Sequence, residues 1–304
     1  MKYAIGIDLG ATNIKAVSVT EGGETLERRL SPTEDDARGR WVEQIRRHID
    51  EMQANRDEAA RWIGLCAPGY AHPDGRSIAW MQGRLEALEG LDWTEALGAR
   101  ERVPVLNDAH GALLGEVWLG TAAGARDAIL LTLGTGVGGA VLADGRLLRG
   151  HRGRAGHLGH ITLDLRGPPD IVGTPGSLED AVGNCTLDRR TGGAYSSVEK
   201  LVDAYRRGEP LATRVWLDSL DGLACGIASL VNAVDPEYVI LGGGIARAGP
   251  TLFEPLQCFL ERVEWRPTGE GVRVVPAALG EYGGALGAAR HAMQQERERP
   301  GRPV

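Results

Sequence analysis

Two glycine-rich turns, each set between two apolar runs, are candidates for phosphate binding. The first is Gly10-Ala11-Thr12-Asn13 and the second is Gly134-Thr135-Gly136. A phosphate oxygen can approach backbone N–H groups closely where glycine leaves out the Cβ atom. Threonine hydroxyls at both turns add hydrogen-bond donors. Both turns are therefore predicted to bind phosphate.

Asp8 and Lys15 flank the first turn. A carboxylate beside a phosphate is repulsive unless Mg²⁺ lies between them, directly or through water, so Asp8 is interpreted as a metal-side group. Lys15 could reach the phosphate or simply be solvated, and the residue taken alone favours solvation.

A third glycine cluster, Gly242-Gly243-Gly244, follows the apolar run Tyr238–Leu241. It could let a flat group such as a nucleobase lie against the backbone, or it could make a tight entry into a helix. Both interpretations remain open. The chain contains no GxxxxGK[ST] motif, and the glycines from 134 to 138 form a hairpin tip instead of a dinucleotide-binding turn.

Asn107-Asp108 follows the short strand predicted at Val103–Leu106. Open α/β sheets place ligands at the carboxyl ends of their strands, where a carboxylate could act as general base in phosphoryl transfer. Either residue could instead cap the helix predicted from Ala109 to Leu119. One possibility is that Asp108 is the base and Asn107 is the helix cap, although the residues taken alone favour a capping role.

His157 and His160 lie three residues apart in the glycine-rich segment from Arg152. They could bind a metal, act as bases or hydrogen-bond to sugar hydroxyls. A zinc site would need further ligands, which the sequence does not show nearby. Without other information, structural histidines are the simplest interpretation.

Composition excludes several classes of function. The chain has 304 residues, 44 of them glycine, and a net charge of −7, whereas non-specific nucleic-acid binding needs a basic face. Its four cysteines form no C-x-x-C pair, which argues against a disulfide framework. There is no run of about 18 uninterrupted apolar residues and no basic segment typical of a signal peptide. These features predict a cytoplasmic protein that binds neither nucleic acid nor membrane.

An internal repeat suggests the domain plan. A shift of 124 residues sets IDLGATNIKAV, from Ile7, over LTLGTGVGGAV, from Leu131, with four of eleven positions identical. Two hairpins with glycine tips predict two α/β domains of similar plan. Apolar spacing adds an amphipathic helix within 36–61 and a long helix at Leu211–Val234.

Five segments, in order along nearly the whole chain, resemble motifs of the ROK family of sugar kinases and repressors, in the actin/hexokinase/Hsp70-like ATPase superfamily. IGIDLGATNIK, from Ile5, resembles the first phosphate motif, and LTLGTGVGGA, from Leu131, the second. The other three are NDAHGALLGE from Asn107 around the catalytic base, VILGGGIA from Val239 for adenosine, and GEYGGALGAA from Gly280 for a closing helix. His110 replaces an asparagine usual in the family.

The resemblance implies an ATP-dependent, glucokinase-like hexose kinase. It implies an α/β fold of two ribonuclease-H-like domains, each a mixed sheet flanked by helices, with a cleft between them. Residues 1–119 would form the smaller domain, to which a helix at about 283–296 returns, and residues 120–282 the larger. Mg²⁺ is the implied metal, and a homodimer is the implied assembly. The glycine excess is then interpreted as backbone cleared for ligands, Gly6 and Gly287 included.

The resemblance also implies site residues. Asp108 would be the catalytic base toward the sugar 6-hydroxyl. Sugar would be bound by Gly69, Asn107, Asp108, Gly138, His157, His160 and Glu179. ATP would be bound by Asp8, Gly10, Thr12, Asn13, Lys15, Gly134, Thr135, Gly136, Gly242, Gly243 and Gly244, with Asp8 beside Mg²⁺ through water.

Two departures from the family pattern stand out. The three cysteines of the family's zinc segment are replaced by Asp170, Val172 and Ser177. Valine cannot ligate a metal, so no structural zinc is expected, and loop 167–179 is expected to hold by packing and by its prolines. His157 stands where a sugar-binding glutamate is usual, and histidine offers a donor as well as an acceptor. A histidine at this position also occurs in some N-acetylmannosamine kinases of the family, so the resemblance implies N-acetylmannosamine or another amino sugar as the rival substrate.

Two alternatives come from other classes of protein. A sugar-responsive ROK regulator would carry an N-terminal winged-helix segment, whereas the first phosphate strand begins here at Tyr3. A non-catalytic sugar-binding homologue is disfavoured by the presence of Asp8, Asp108 and both glycine turns.

Overall fold

Two five-stranded sheets with the same strand arrangement form the frame of the protein. The computed structural model describes residues 2–36, 39–54, 56–81 and 83–297. Its contacts divide these residues into two units with one such sheet each. The first unit runs to Gly124 and adds Arg149–Ala155 and the segment from Ala278, and the second comprises Ala125–Leu148 and Gly156–Ala277. Residues 149–155, predicted within the second domain, thus belong to the first unit.

The strands are β1 (Tyr3–Leu9), β2 (Asn13–Thr20), β3 (Thr25–Pro32), β4 (Trp62–Ala67), β5 (Tyr70–Ala71), β6 (Ile78–Trp80), β7 (Val105–Asn107), β8 (Ala128–Leu133), β9 (Val137–Ala143), β10 (Arg146–Leu147), β11 (Tyr238–Gly242) and β12 (Arg273–Pro276). The α-helices are α1 (Trp41–Ala54), α2 (Trp93–Ala96), α3 (Asp108–Leu119), α4 (Leu178–Val182), α5 (Leu187–Thr191), α6 (Val198–Arg206), α7 (Pro210–Val234), α8 (Pro250–Val263) and α9 (Gly283–Arg297). Single turns of 3₁₀ helix lie at Glu86–Leu88, Leu158–His160, Asn184–Thr186, Ile245–Ala248 and Gly280–Tyr282.

The two sheets repeat one topology. The first has the order β3-β2-β1-β4-β7 and the second β10-β9-β8-β11-β12. In the first, β1 is antiparallel to β2 and parallel to β4. In the second, β8 is antiparallel to β9 and parallel to β11. The predicted fold class, two α/β units with mixed sheets flanked by helices, is confirmed.

Strand β1 is buried on both faces because a helix covers each of them. Every one of its residues is buried. Ile5 and Ile7 share a core cluster with Trp41 of α1, whereas Ala4 shares a different cluster with Ala285 of α9. Alternate side chains along β1 therefore contact α1 and α9, which explains the alternation in the sequence.

Helix α9 approaches the first sheet and α3 at backbone contact distance. A Cβ atom at Gly287 would overlap the carbonyl oxygen of Gly111, and one at Gly6 would overlap that of Ala285. These glycines are therefore required for helix packing. Their interpretation as backbone cleared for ligands was wrong, because the nearest atoms are those of α9 and α3.

Helix α7 is the core helix of the second unit. Its side chains Leu220, Leu223 and Ile227 are fully buried in the main cluster there. By length and composition alone α7 is apolar enough to cross a membrane, a test that buried core helices also pass. Its burial accounts for its apolar composition.

We expect Gly287→Ala to lower the free energy of unfolding by about 3 kcal/mol, because α9 must move away from α3 to admit the methyl group. Urea unfolding measures this loss. Gly22→Ala is the matched control, since its methyl group would meet only the Thr20 hydroxyl, at 3.8 Å. Equal unfolding midpoints for the two variants would contradict the α3–α9 contact.

Candidate functional site

Asp8 and Lys15 form an ion pair across the first hairpin. They are register partners on β1 and β2, and Lys15 Nζ lies 3.1 Å from Asp8 Oδ2. Their side chains are only 12% and 18% exposed, respectively. The solvated interpretation of Lys15 was therefore wrong, because the ammonium group is held against the carboxylate.

The surroundings of Asp8 shift its titration. Burial raises the pKa of Asp8, while the charge and hydrogen bond of Lys15 and a hydrogen bond with Cys66 oppose that rise. Burial also raises the pKa of the Cys66 thiol, and the charges of Asp8 and Asp108 raise that pKa further. On the α9 side, a Cβ atom at Gly284 would lie 3.0 Å from the Asp8 carboxylate. The glycine at 284 thus leaves α9 close to the Asp8 carboxylate without crowding it.

Asn107 ends β7 and caps α3. Its Oδ1 accepts a hydrogen bond from the Ala109 N–H at 3.0 Å, and its Nδ2 donates to the Gly69 carbonyl at 2.8 Å. The second bond joins the α3 N-terminus to the Gly69 loop, two places predicted separately to lie near the sugar. The cap interpretation is confirmed for Asn107, and it leaves Asp108 as the first residue of α3.

Asp108 is exposed to solvent, although many protein atoms lie near its carboxyl group. Its Oδ1 accepts a hydrogen bond from the Ala109 N–H at 2.8 Å. Burial of the group and the negative charge of Asp8 raise the pKa of Asp108 to about 6, against the opposing effects of Ala109, Asn107 and Lys15. A carboxylate that titrates close to neutral pH and remains accessible has the properties of a general base.

The first glycine turn is stabilised by backbone contacts. Gly10 N–H donates to the Asn13 carbonyl at 3.0 Å, and Thr33 N–H donates to the Thr12 carbonyl at 2.8 Å. The Thr33 hydroxyl donates to the Gly10 carbonyl at 2.7 Å. The carbonyl groups of the turn are thus bound to neighbouring residues. Their binding fixes the conformation in which the turn presents its remaining polar groups.

The second glycine turn is held by a buried carboxylate. Glu179, near the start of α4, accepts a hydrogen bond from the Val137 N–H at 2.9 Å. A Cβ atom at Gly136 would overlap this carboxylate. Gly136, predicted to clear space for phosphate, therefore makes space for Glu179. Gly138 follows on β9, paired with Thr132 of β8.

A cavity of about 430 Å³ in the second unit joins two of the predicted nucleotide segments. Gly134 and Thr135 line one part of it, and Gly244 lines another. The three glycines of the cluster differ in role. Gly242 is buried in β11, and a Cβ atom on Gly243 would overlap the Leu133 carbonyl, so only Gly244 lines the cavity.

His160 is held by a carboxylate, and His157 lies close enough to His160 to feel its charge. His160 Nδ1 lies 2.8 Å from Asp170 Oδ2. Burial lowers the pKa of His157, and the nearby His160 lowers it further. A neutral His157 retains the donor and acceptor pair that distinguishes it from glutamate.

Backbone and side-chain hydrogen bonds hold loop 167–179. Gly176 N–H donates to the Pro168 carbonyl at 2.8 Å, and Pro169 and Pro175 form a bridge. Ser177 caps α4 by accepting from the Asp180 N–H at 3.2 Å. Within the described ranges no group of three or more histidine, cysteine or acidic side chains is arranged to hold a metal ion.

Some residues of the site were not predicted from the sequence. Asn184, Ser197, Arg206 and Arg247 line the cavity of the second unit, and nothing in their local sequence sets them apart. Gly284 and Cys66 contact Asp8, although only Gly284 fell inside a motif. A larger cavity of about 770 Å³ in the first unit, lined by such residues as Arg46 and Glu101, contains none of the predicted site residues.

Comparisons with known proteins agree on one family. The ROK family model matches residues 4–295. The chain is 34% identical to a glucokinase of Thermotoga maritima, covering 94% of this chain and 95% of that one. Among solved structures it is similar to a ROK hexokinase of Thermus thermophilus, with TM-score 0.85 and 32% identity over 98% of this chain and all of that one. It is also similar to a ROK glucokinase of Streptomyces griseus solved with glucose and AMPPNP, with TM-score 0.76 and 29% identity over 96% and 99%.

We expect Asp108→Asn to stabilise the fold above pH 6. The raised pKa means that folding favours the protonated carboxyl, so stability is lost as pH rises through about 6 and the group ionises. Asparagine cannot ionise, so the variant does not lose this stability as pH rises. The Tm difference between variant and native protein should be positive at pH 8 and should shrink toward pH 4. A difference that does not change with pH would contradict the raised pKa.

Proposed function

Because the chain belongs to the ROK family, we propose that it is an ATP-dependent hexose kinase that phosphorylates its sugar at the 6-hydroxyl. Relatives named glucokinase and hexokinase support the phosphorylation of a hexose by ATP. The position of the hydroxyl and the roles of individual residues are our proposals.

Asp108 is the observation that carries the proposal. It stands at the start of α3, accessible, with a pKa of about 6. In the proposed reaction its carboxylate accepts the proton of the 6-hydroxyl as the sugar oxygen attacks the γ-phosphorus of ATP. The bond between the γ-phosphorus and the bridging oxygen breaks, which yields the sugar phosphate and ADP. Asn107 holds the turn that carries Asp108 in place.

The cavity of the second unit is proposed as the adenosine site. Its volume, about 430 Å³, is within the range of small-ligand sites. Thr135 and Gly134 would face the phosphates and Gly244 the nucleoside. The complex of the Streptomyces griseus relative with AMPPNP supports a nucleotide as ligand.

The acidic groups near the first turn fit Mg²⁺. Asp8 and Asp108 lie close enough for their charges to interact, and Lys15 is paired with Asp8. Carboxylate oxygens and water are the ligands that this ion prefers. Bound there through water on Asp8, Mg²⁺ would neutralise negative charge on the phosphates. Lys15 opposes the rise in the pKa of Asp8 and orients its carboxylate.

The sugar is proposed to be glucose or a close hexose, bound by Asn107, His157, His160 and Glu179. His157 gives specific support to a second candidate, N-acetylmannosamine or another amino sugar, because it adds a hydrogen-bond donor. We further propose a cytoplasmic homodimer. The homodimer rests on the family resemblance, and the cytoplasmic location rests on the scattered cysteines, which form no C-x-x-C pair.

We expect Asp108→Asn to reduce kcat by about 10²–10⁴-fold while sugar binding persists, because the variant cannot accept the proton. In the native enzyme kcat/KM should fall as pH drops below about 6, where the carboxyl is protonated. Coupled ADP formation with glucose, mannose, fructose, allose, N-acetylglucosamine and N-acetylmannosamine measures both. Near-normal turnover of Asp108→Asn would refute the mechanism, and inactivity of the native chain with every sugar would refute the assignment.

We expect Gly244→Leu to raise the KM for ATP about tenfold or more with little change in the KM for sugar. Gly244 has helical backbone angles, and no atom lies within 4 Å of its Cβ position. Leucine is therefore compatible with the fold but occupies the cavity. Thermal unfolding supplies the control, since Tm should match that of the native protein. An unchanged KM for ATP would place the nucleotide elsewhere.

A further inference from the structure

Asp170 has both carboxylate oxygens engaged. Oδ2 lies 2.8 Å from His160 Nδ1. Oδ1 accepts hydrogen bonds from the Val172 N–H at 3.0 Å and the Thr174 N–H at 2.9 Å. The Asp170 side chain is 2% exposed, whereas that of His160 is 27% exposed. A buried group thus holds a histidine that remains accessible.

This contact determines which ring nitrogen of His160 carries the proton. An ionised carboxylate only accepts hydrogen bonds, so the proton must be on Nδ1. Burial would raise the pKa of Asp170, but hydrogen bonds from His160, Thr174, Ser177 and Val172 outweigh it and lower the pKa, which keeps the group ionised. A neutral imidazole has one N–H, and Nε2 is then an acceptor.

We propose that Asp170 is a positioning residue that fixes the tautomer of His160, so that Nε2 accepts a hydrogen bond from a hydroxyl of the sugar. The proposal rests on the proposed function, which supplies the sugar. It assigns specificity: His160 selects a hydroxyl donor and disfavours a substrate that presents only an acceptor there. His157 is a separate contact.

Asparagine at position 170 should reverse the tautomer. The Val172 and Thr174 N–H groups both need an acceptor, so they retain the amide oxygen at the Oδ1 position. The amide NH₂ group then faces His160 Nδ1. Because that group only donates, Nδ1 must become the acceptor and Nε2 the N–H donor. The loop keeps its backbone contacts while Nε2 of His160 changes from acceptor to donor.

Imidazole ¹⁵N spectra test the tautomer without an assay of activity. The native protein should show the neutral imidazole of His160 protonated at Nδ1. Asp170→Asn should show it protonated at Nε2, with His160→Gln identifying the resonances. A native His160 that is unprotonated at Nδ1 overturns the proposal, even if the variant fails to fold.

Kinetics then test the link to sugar binding. We expect Asp170→Asn to raise the KM for sugar about tenfold, with kcat and the KM for ATP within about twofold. Asp164→Asn is the matched control, because Asp164 is exposed just before loop 167–179 and its carboxylate accepts from the Arg166 N–H at 2.9 Å. A reversed tautomer with an unchanged KM for sugar overturns the proposal and leaves the kinase assignment intact. Failure of the proposed function would appear earlier, as inactivity of the native enzyme.

Discussion

The backbone contact of α9 with β1 and α3 is the constraint on which the candidate site of the first unit depends. Gly6 and Gly287 permit it, and Gly284 brings the same helix against the Asp8 carboxylate. Glu116 of α3 fixes the approach to α9, since its carboxylate accepts from the Leu279 N–H at 2.8 Å. Burial of Asp8 follows from this packing. The raised pKa of Asp108 depends in turn on the nearby charge of Asp8.

Both units use a buried carboxylate to support a glycine hairpin, although in different ways. Asp8 in the first is paired with a lysine of the adjacent strand. Glu179 in the second binds the backbone N–H of Val137 directly, which requires glycine at 136. The sheets repeat one topology, yet the supporting contacts come from different elements. The internal repeat therefore accounts for the two sheets, whereas each unit supports its glycine turn with contacts of its own.

Asp108 illustrates how a site opposes stability. An accessible carboxylate kept in surroundings that disfavour its ionisation costs folding free energy at neutral pH, and the same property makes it a better proton acceptor there. Asn107 offsets part of this cost by capping α3 and binding the Gly69 carbonyl. Asn107 thus contributes stability, and Asp108 provides the group suited to proton transfer.

The sequence by itself determined the family, the two-unit α/β plan and the place of Asn107 and Asp108 between β7 and α3. Such features follow from motif order, from the period of apolar residues and from capping, which act over a few residues. Only the tertiary structure decided that Lys15 pairs with Asp8, that Gly6 and Gly287 serve helix packing, and that Asp170 holds His160. These contacts depend on how elements pack in space, and those of Gly6 and Gly287 join residues far apart in the chain. Even the pair Asp8 and Lys15 meets only through the strand register, so no local pattern encodes its partner.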